Sequence, residues 1–268
     1  VHNKGFNVIF SKKKGLVSYR VHGCEFVRTP LHPNFYRART NNDVENGHGF
    51  RYGEWLWASL YAQCTYRECQ KYDDHVTVIY DYVLPACTDQ KVTVQYSVYG
   101  DGSIRADMDV PSIEDHIEMP EFGFLFATYP EFRHVSYYGN GPEENYIDRK
   151  CGALMGRYEY EVSDNFTHYL YPQECGNRTD VSSFTLSSKD HSITFTGEGF
   201  EFSALPYTPY ELDQAAHVYE LPAVYETVLS INESQMGVGG DNTWGARTHD
   251  EFLLSKDAHH LSITIKGN

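Results

Sequence analysis

The segment Val92-Thr-Val-Gln-Tyr-Ser-Val98 constrains this chain more than any other, because it alternates strictly between apolar and polar residues. Successive side chains of a strand point to opposite faces, so Val92, Val94, Tyr96 and Val98 share one face and Thr93, Gln95 and Ser97 the other. After Gly100-Asp101-Gly102 the alternation resumes, with Ile104, Ala106, Met108 and Val110 on one side and Arg105, Asp107 and Asp109 on the opposite side. Two alternating runs about a glycine-rich turn predict an antiparallel hairpin.

The same pattern predicts strands over Phe6–Phe10, His75–Leu84, Phe122–Ala127, Ser192–Phe195 and His260–Lys266, with Pro85, Pro111, Pro120 and Gly197 punctuating the turns. Helical periodicity is scarce. Trp55–Ala62 and Leu212–His217 each allow one short helix, and neither sustains an apolar stripe. Many strands, little helix and no low-complexity linker predict an all-β sandwich or barrel, read as one domain over residues 1–268.

A hydrophobic fraction of 41% and an aromatic fraction of 15%, including 22 tyrosines, supply a core and suit strands. The net charge of −15 repels phosphate backbones and anionic lipid, which disfavours nucleic acid and membrane surfaces as partners. A neutral ligand such as a sugar is compatible with it. No apolar run approaches the roughly eighteen residues that cross a bilayer as a helix. Cys24, Cys64, Cys69, Cys87, Cys151 and Cys175 include no C-x-x-C pair, and they read as reduced thiols. The sequons at Asn165, Asn177 and Asn232 read as chance matches. A chain that opens at Val1, with a strand six residues on, reads as a piece of a longer protein.

The chain has no nucleophile elbow, no H-E-x-x-H and no phosphate or dinucleotide loop. Glycoside hydrolysis usually takes two carboxyl groups ~5 to ~9 Å apart across the scissile bond. Glu143 and Glu144 adjoin, but neighbours in an extended segment face opposite ways and cannot form that pair. They read as a turn with one exposed acid and one acid bonded to a neighbouring loop. In Tyr171-Pro-Gln-Glu-Cys-Gly-Asn-Arg-Thr-Asp180, the polar residues Gln173, Glu174, Asn177, Arg178 and Asp180 crowd around Gly176. Two uses stay open there: a structural one, with Arg178 paired to Asp180 or Glu174, and a polar cleft. The loop Met236-Gly-Val-Gly-Gly-Asp-Asn-Thr-Trp244 is tightly shaped by three glycines and ends in one of three tryptophans. The Trp244 indole suits the C–H face of a sugar, and Asp241 can accept sugar hydroxyls. A core tryptophan plugging the sandwich is the slightly better reading from the residues alone.

Arg37-Ala-Arg-Thr-Asn-Asn-Asp43, Gly139-Asn-Gly-Pro-Glu-Glu-Asn-Tyr-Ile-Asp-Arg149, the Tyr171–Asp180 segment and the Met236–Trp244 loop occur in that order. In this the chain resembles, over nearly its full length, the C-terminal small-chain domain (domain 5) of the large bacterial β-galactosidases of glycoside hydrolase family 2. The resemblance implies a galactose-mutarotase-like supersandwich of large antiparallel sheets. It implies a catalytic TIM-barrel domain or large subunit outside this chain, which supplies both catalytic glutamates and acts on terminal β-D-galactosides such as lactose. It also implies an oligomeric, cytoplasmic bacterial parent, with any magnesium and sodium bound elsewhere, and an isolated chain without activity. By position Trp244 lines the galactoside pocket, with Asp241 of the same loop read as substrate-lining; Glu144, Glu174, Asn177 and Arg178 are the candidates for the polar cleft left open above. The sequence departs from the family at Arg39, where proline is common, at Asn41, where aspartate is common, and at Cys175, where asparagine is common. Two other readings of such a fold are an aldose 1-epimerase, with His168 and Glu174 as acid and base, and a stand-alone carbohydrate-binding module.

Overall fold

The computed structural model describes residues 1–85, 87–242 and 244–268. Strands β1 (Phe6–Ser11), β2 (Gly15–Val21) and β3 (Cys24–Glu25) form a small antiparallel sheet. The other strands are β4 (Thr29–Asn34), β5 (Gln63–Lys71), β6 (His75–Leu84), β7 (Cys87–Tyr99), β8 (Ile104–Val110) and β9 (Glu121–Thr128). They continue with β10 (His134–Gly141), β11 (Leu154–Glu161), β12 (Arg178–Ser187), β13 (Ser192–Leu205), β14 (Thr227–Gln235) and β15 (His259–Gly267). Among the described residues these twelve make one antiparallel sheet, ordered β11-β10-β12-β13-β15-β8-β7-β6-β5, with a branch β13-β14-β9-β4.

The hairpin predicted from alternation is β7–β8. Val94 opposes Met108, Tyr96 opposes Ala106 and Val98 opposes Ile104, and all six are buried. At its tip Gly102 adopts φ 85°, and a side chain there would strike the Phe6 ring from the small sheet.

β13 joins the two branches. Its first part, Ile193–Gly197, pairs with β15; its last part, Glu201–Leu205, pairs with β14. Phe184 of β12 stacks on both parts, at 4.5 Å from Phe195 and 4.2 Å from Phe202 between ring centroids. β9 is buried on both faces along its whole length, which makes it a central strand of the core.

Among the described residues four short α-helices sit between strands: α1 (Asn41–Glu45), α2 (His48–Arg51), α3 (Gly53–Tyr61) and α4 (Pro209–Gln214). α3 matches the helix expected near Trp55–Ala62. α4 begins earlier than the Leu212–His217 reading. Thr208 and Glu211 form a reciprocal capping box around Pro209, and Ala215 returns to extended backbone. A second capping box, Thr40 with Asp43, starts α1, a helix without sequence periodicity.

Candidate functional site: a polar cleft at the meeting of four loops

Arg37 follows β4 and is fully buried. Its guanidinium lies 3.2 Å from Asp43 Oδ2 and donates to Gln235 Oε1 at 3.2 Å, to the Gly237 carbonyl at 2.9 Å and to the Met236 carbonyl. One side chain therefore fixes α1 against the end of β14 and the start of the Trp244 loop. Burial alone would raise the Asp43 carboxyl, but the Arg37 charge and His48 reverse that and hold it well below the usual carboxylate range. His48 Nδ1 sits 3.3 Å from Asp43 Oδ1, and burial lowers the basicity of this imidazole despite its acidic neighbour.

Above this buried ion pair lies a cleft of about 180 Å³. Asn41 and Asn42 line it from the first motif, Tyr146 and Arg149 from the second, Gln173 and Glu174 from the third, and Val238 from the fourth. Gln173 Oε1 accepts the Asn41 N–H at 3.2 Å, and the Tyr146 hydroxyl donates to Glu174 at 3.4 Å. Arg39, which departs from the family pattern, makes a bidentate pair with Asp213 of α4 at 2.6 and 3.0 Å. Glu174 is pushed up to about 8 by burial and by Glu121, against the opposing pull of Arg37. It is therefore a neutral, proton-carrying acid near pH 7.

The other cleft residues expected from sequence divide. Glu144 binds the loop beyond it: it accepts from Thr167 at 3.1 Å, from Tyr169 and from Arg149. It also accepts the Gly176 N–H at 2.6 Å. Glu143 is exposed. Asn177 and Arg178 are buried and are not among the residues that line the cleft. The Asn177 amide donates to Glu201 at 2.9 Å, and burial pushes Glu201 up to about 8. Arg178 pairs with neither Asp180 nor Glu174. It donates to the Tyr137 hydroxyl at 3.0 Å and to the Gly176 and Asn177 carbonyls, and it lies over the Tyr137 and Tyr160 rings. Asp180 takes Lys150 instead, at 2.9 Å. His168 and Glu174 line different clefts, His168 packing on Phe166, so the acid–base pair of an epimerase reading is not assembled.

Trp244 is not in the core. Its side chain is 87% exposed, which overturns the packing reading made from residues alone. The loop that carries it is tied to the second motif, where Asp148 accepts the Gly239 N–H at 2.7 Å, and a side chain at Gly245 (φ 93°) would strike the Glu45 backbone. Asp241 is exposed and lies 2.9 Å from His249 Nε2. Thr243 of the same loop lies outside the described residues.

Sequence reasoning missed Arg37, Glu121 and Glu201. Glu121 opens β9 and takes hydrogen bonds from Asn34 and Asn232, and burial pushes it up to about 7. An acid in an alternating strand reads as an outward residue. The available signal was Glu121 directly ahead of Phe-Gly-Phe-Leu-Phe, a run with no outward face to continue.

A large curled antiparallel sheet carrying a polar cleft places the chain in the galactose mutarotase-like fold class. It is similar in fold to a galactose mutarotase related enzyme from Lactobacillus acidophilus, with a TM-score of 0.52 at 10% identity, covering 100% of this chain and 96% of that one. A galactose 1-epimerase from L. acidophilus NCFM gives 0.51 at 10% identity, over 100% and 92%. The chain belongs to the β-galactosidase small chain family, which it matches over residues 2–265. It is 39% identical to a β-galactosidase of Streptococcus thermophilus, over 99% of this chain and 26% of that protein. With a β-galactosidase of Halalkalibacterium halodurans it shares 37% identity, over 96% and 26%. The chain thus spans about a quarter of the length of these relatives.

Proposed function

We propose that this chain is the sugar-facing small-chain part of a family 2 β-galactosidase. A TIM barrel outside it supplies the two catalytic glutamates and cleaves terminal β-D-galactosides such as lactose. The observation that carries this reading is the meeting of four loops at one cleft, one of them the loop of Val238 that ends in the exposed Trp244 indole. An indole face stacks on the apolar face of a pyranose, and Asp241 can accept sugar hydroxyls. Glu174, holding a proton near neutrality, can donate a hydrogen bond where a carboxylate could only accept.

In this reading the chain binds and orients galactose, and bond cleavage belongs to carboxylates it does not contain. Magnesium and sodium serve the parent enzyme outside this chain, and the parent is an oligomer of the cytoplasm. Reconstitution tests the proposal. This chain alone should leave a β-galactoside intact, and the protein with its barrel should hydrolyse it. Hydrolysis by the isolated chain at enzyme-like rates would sink the reading.

A further inference from the structure

Away from the cleft, three metal-ligating side chains of different elements converge. Glu54 lies in the first turn of α3, Cys87 is the first residue of β7, and His116 sits in the loop between β8 and β9. One ligand atom from each lies within 4.8 Å of the other two. The Cys87 sulfur is 3.8 Å from Glu54 Oε2, and His116 Nδ1 is 3.2 Å from that same oxygen. A tetrahedral zinc ion, with Zn–S of about 2.3 Å and Zn–N or Zn–O of about 2.0 to 2.1 Å, separates its ligand atoms by about 3.3 to 3.6 Å. Two edges of that tetrahedron are already close to their required length.

The surroundings orient the donors. Glu54 Oε1 accepts the Ile117 N–H at 3.2 Å, which turns Oε2 toward the thiol and the imidazole. The Ile117 carbonyl accepts from the Trp55 indole at 3.0 Å, bracing the His116 loop against α3. Cys87 is buried, whereas the Glu54 and His116 side chains keep 27% and 12% of their exposure, so a fourth ligand can enter from solvent.

We propose that Glu54, Cys87 and His116 bind one divalent transition-metal cation of the zinc type, which pins the start of α3 to the sheet. Thiolate and imidazole donors select such an ion over magnesium or calcium, which prefer all-oxygen sites. On binding, the Cys87 thiol gives its proton to solvent and its sulfur lone pair to the metal.

The test uses the whole protein that carries this chain, reduced and stripped with a chelator, and titrated with Co²⁺ as a spectroscopic probe. A thiolate-to-cobalt charge-transfer absorption should appear and saturate at one ion per chain. It should vanish in Cys87→Ser and persist in Cys151→Ser, whose thiol is exposed and elsewhere. Losing an outer-shell partner of a metal site already costs about 10- to 100-fold in affinity, so His116→Gln should weaken Co²⁺ by more than about 100-fold. Absence of the band at equimolar cobalt, or a band of full strength in Cys87→Ser, overturns the proposal. Should Cys87→Ser fail to fold, undiminished cobalt affinity in His116→Gln overturns it equally.

Discussion

Asp148 accepts the backbone N–H of Gly239 at 2.7 Å, and that bond joins two segments 91 residues apart in the chain. Asp148 belongs to the motif that supplies Tyr146 and Arg149 to the cleft; Gly239 belongs to the loop that ends at Trp244. The same carboxylate packs where a side chain on Gly237 would stand, so it shapes the loop at two points. Asp148→Ala should loosen the loop and leave the sheet intact. The expected stability loss in urea unfolding is about 1 kcal/mol, the net worth of a solvent-accessible hydrogen bond, alongside a several-fold rise in KM of the assembled enzyme.

On the proposed function, Trp244→Ala should separate binding from folding. With so little of the indole buried, thermal unfolding should shift by less than the equivalent of about 0.5 kcal/mol. Steady-state kinetics of the assembled enzyme should show weaker galactoside binding. A large loss of stability would mean that the indole packs against the fold after all.

Arg37 carries the opposite expectation. Its removal leaves Asp43 buried without its cation and frees the Met236 and Gly237 carbonyls, so Arg37→Met should cost about 3 to 5 kcal/mol in denaturant unfolding. Arg37→Lys should recover little, because an ammonium cannot reach Gln235, two carbonyls and a carboxylate from one planar fork.

Glu201 predicts a pH dependence. Its folded-state value of about 8 lies above the ordinary 4.5, so the native state keeps a proton that the unfolded chain releases. Between those values the native protein binds more protons. The stability that Glu201 contributes is therefore fully present below about pH 4.5 and is lost as pH rises toward 8. Glu201→Gln keeps the neutral shape and should lessen that fall, by an amount on the order of a few kcal/mol. Urea unfolding at about pH 5 and about pH 8 measures it, and equal slopes for both proteins would refute it.

Much of this fold was legible in the sequence. Strict alternation in β7 and β8 leaves one partner arrangement that buries all the apolar residues, and the glycines between them name the turn. Helices α1 and α2 were not legible, because a capping box at α1 and tertiary contacts, not periodicity, hold segments of five and four residues. The cleft was legible only as four polar loops in order. Alternation says which face a residue takes, but not which distant loop covers that face. Hence the buried acids Glu121 and Glu201 drew no reading at all, and Trp244, a large apolar residue, looked like core.

The bulge in β13 has a consequence for what this chain can tolerate. The strand passes from one branch of the sheet to the other over Gly197–Phe200, where its register against β12 shifts and Gly199 takes φ 63°. It works like a mitre joint, in which each board's cut fixes the angle of the other. Both faces of this part are buried, so one inserted residue would exchange Phe202 and Ala204 with Glu201 and Ser203 and set an acid in the apolar core. Asn177 would then lose Glu201 through an error made at a corner several residues away. For Glu201 to stay on Asn177, this joint must therefore keep its length.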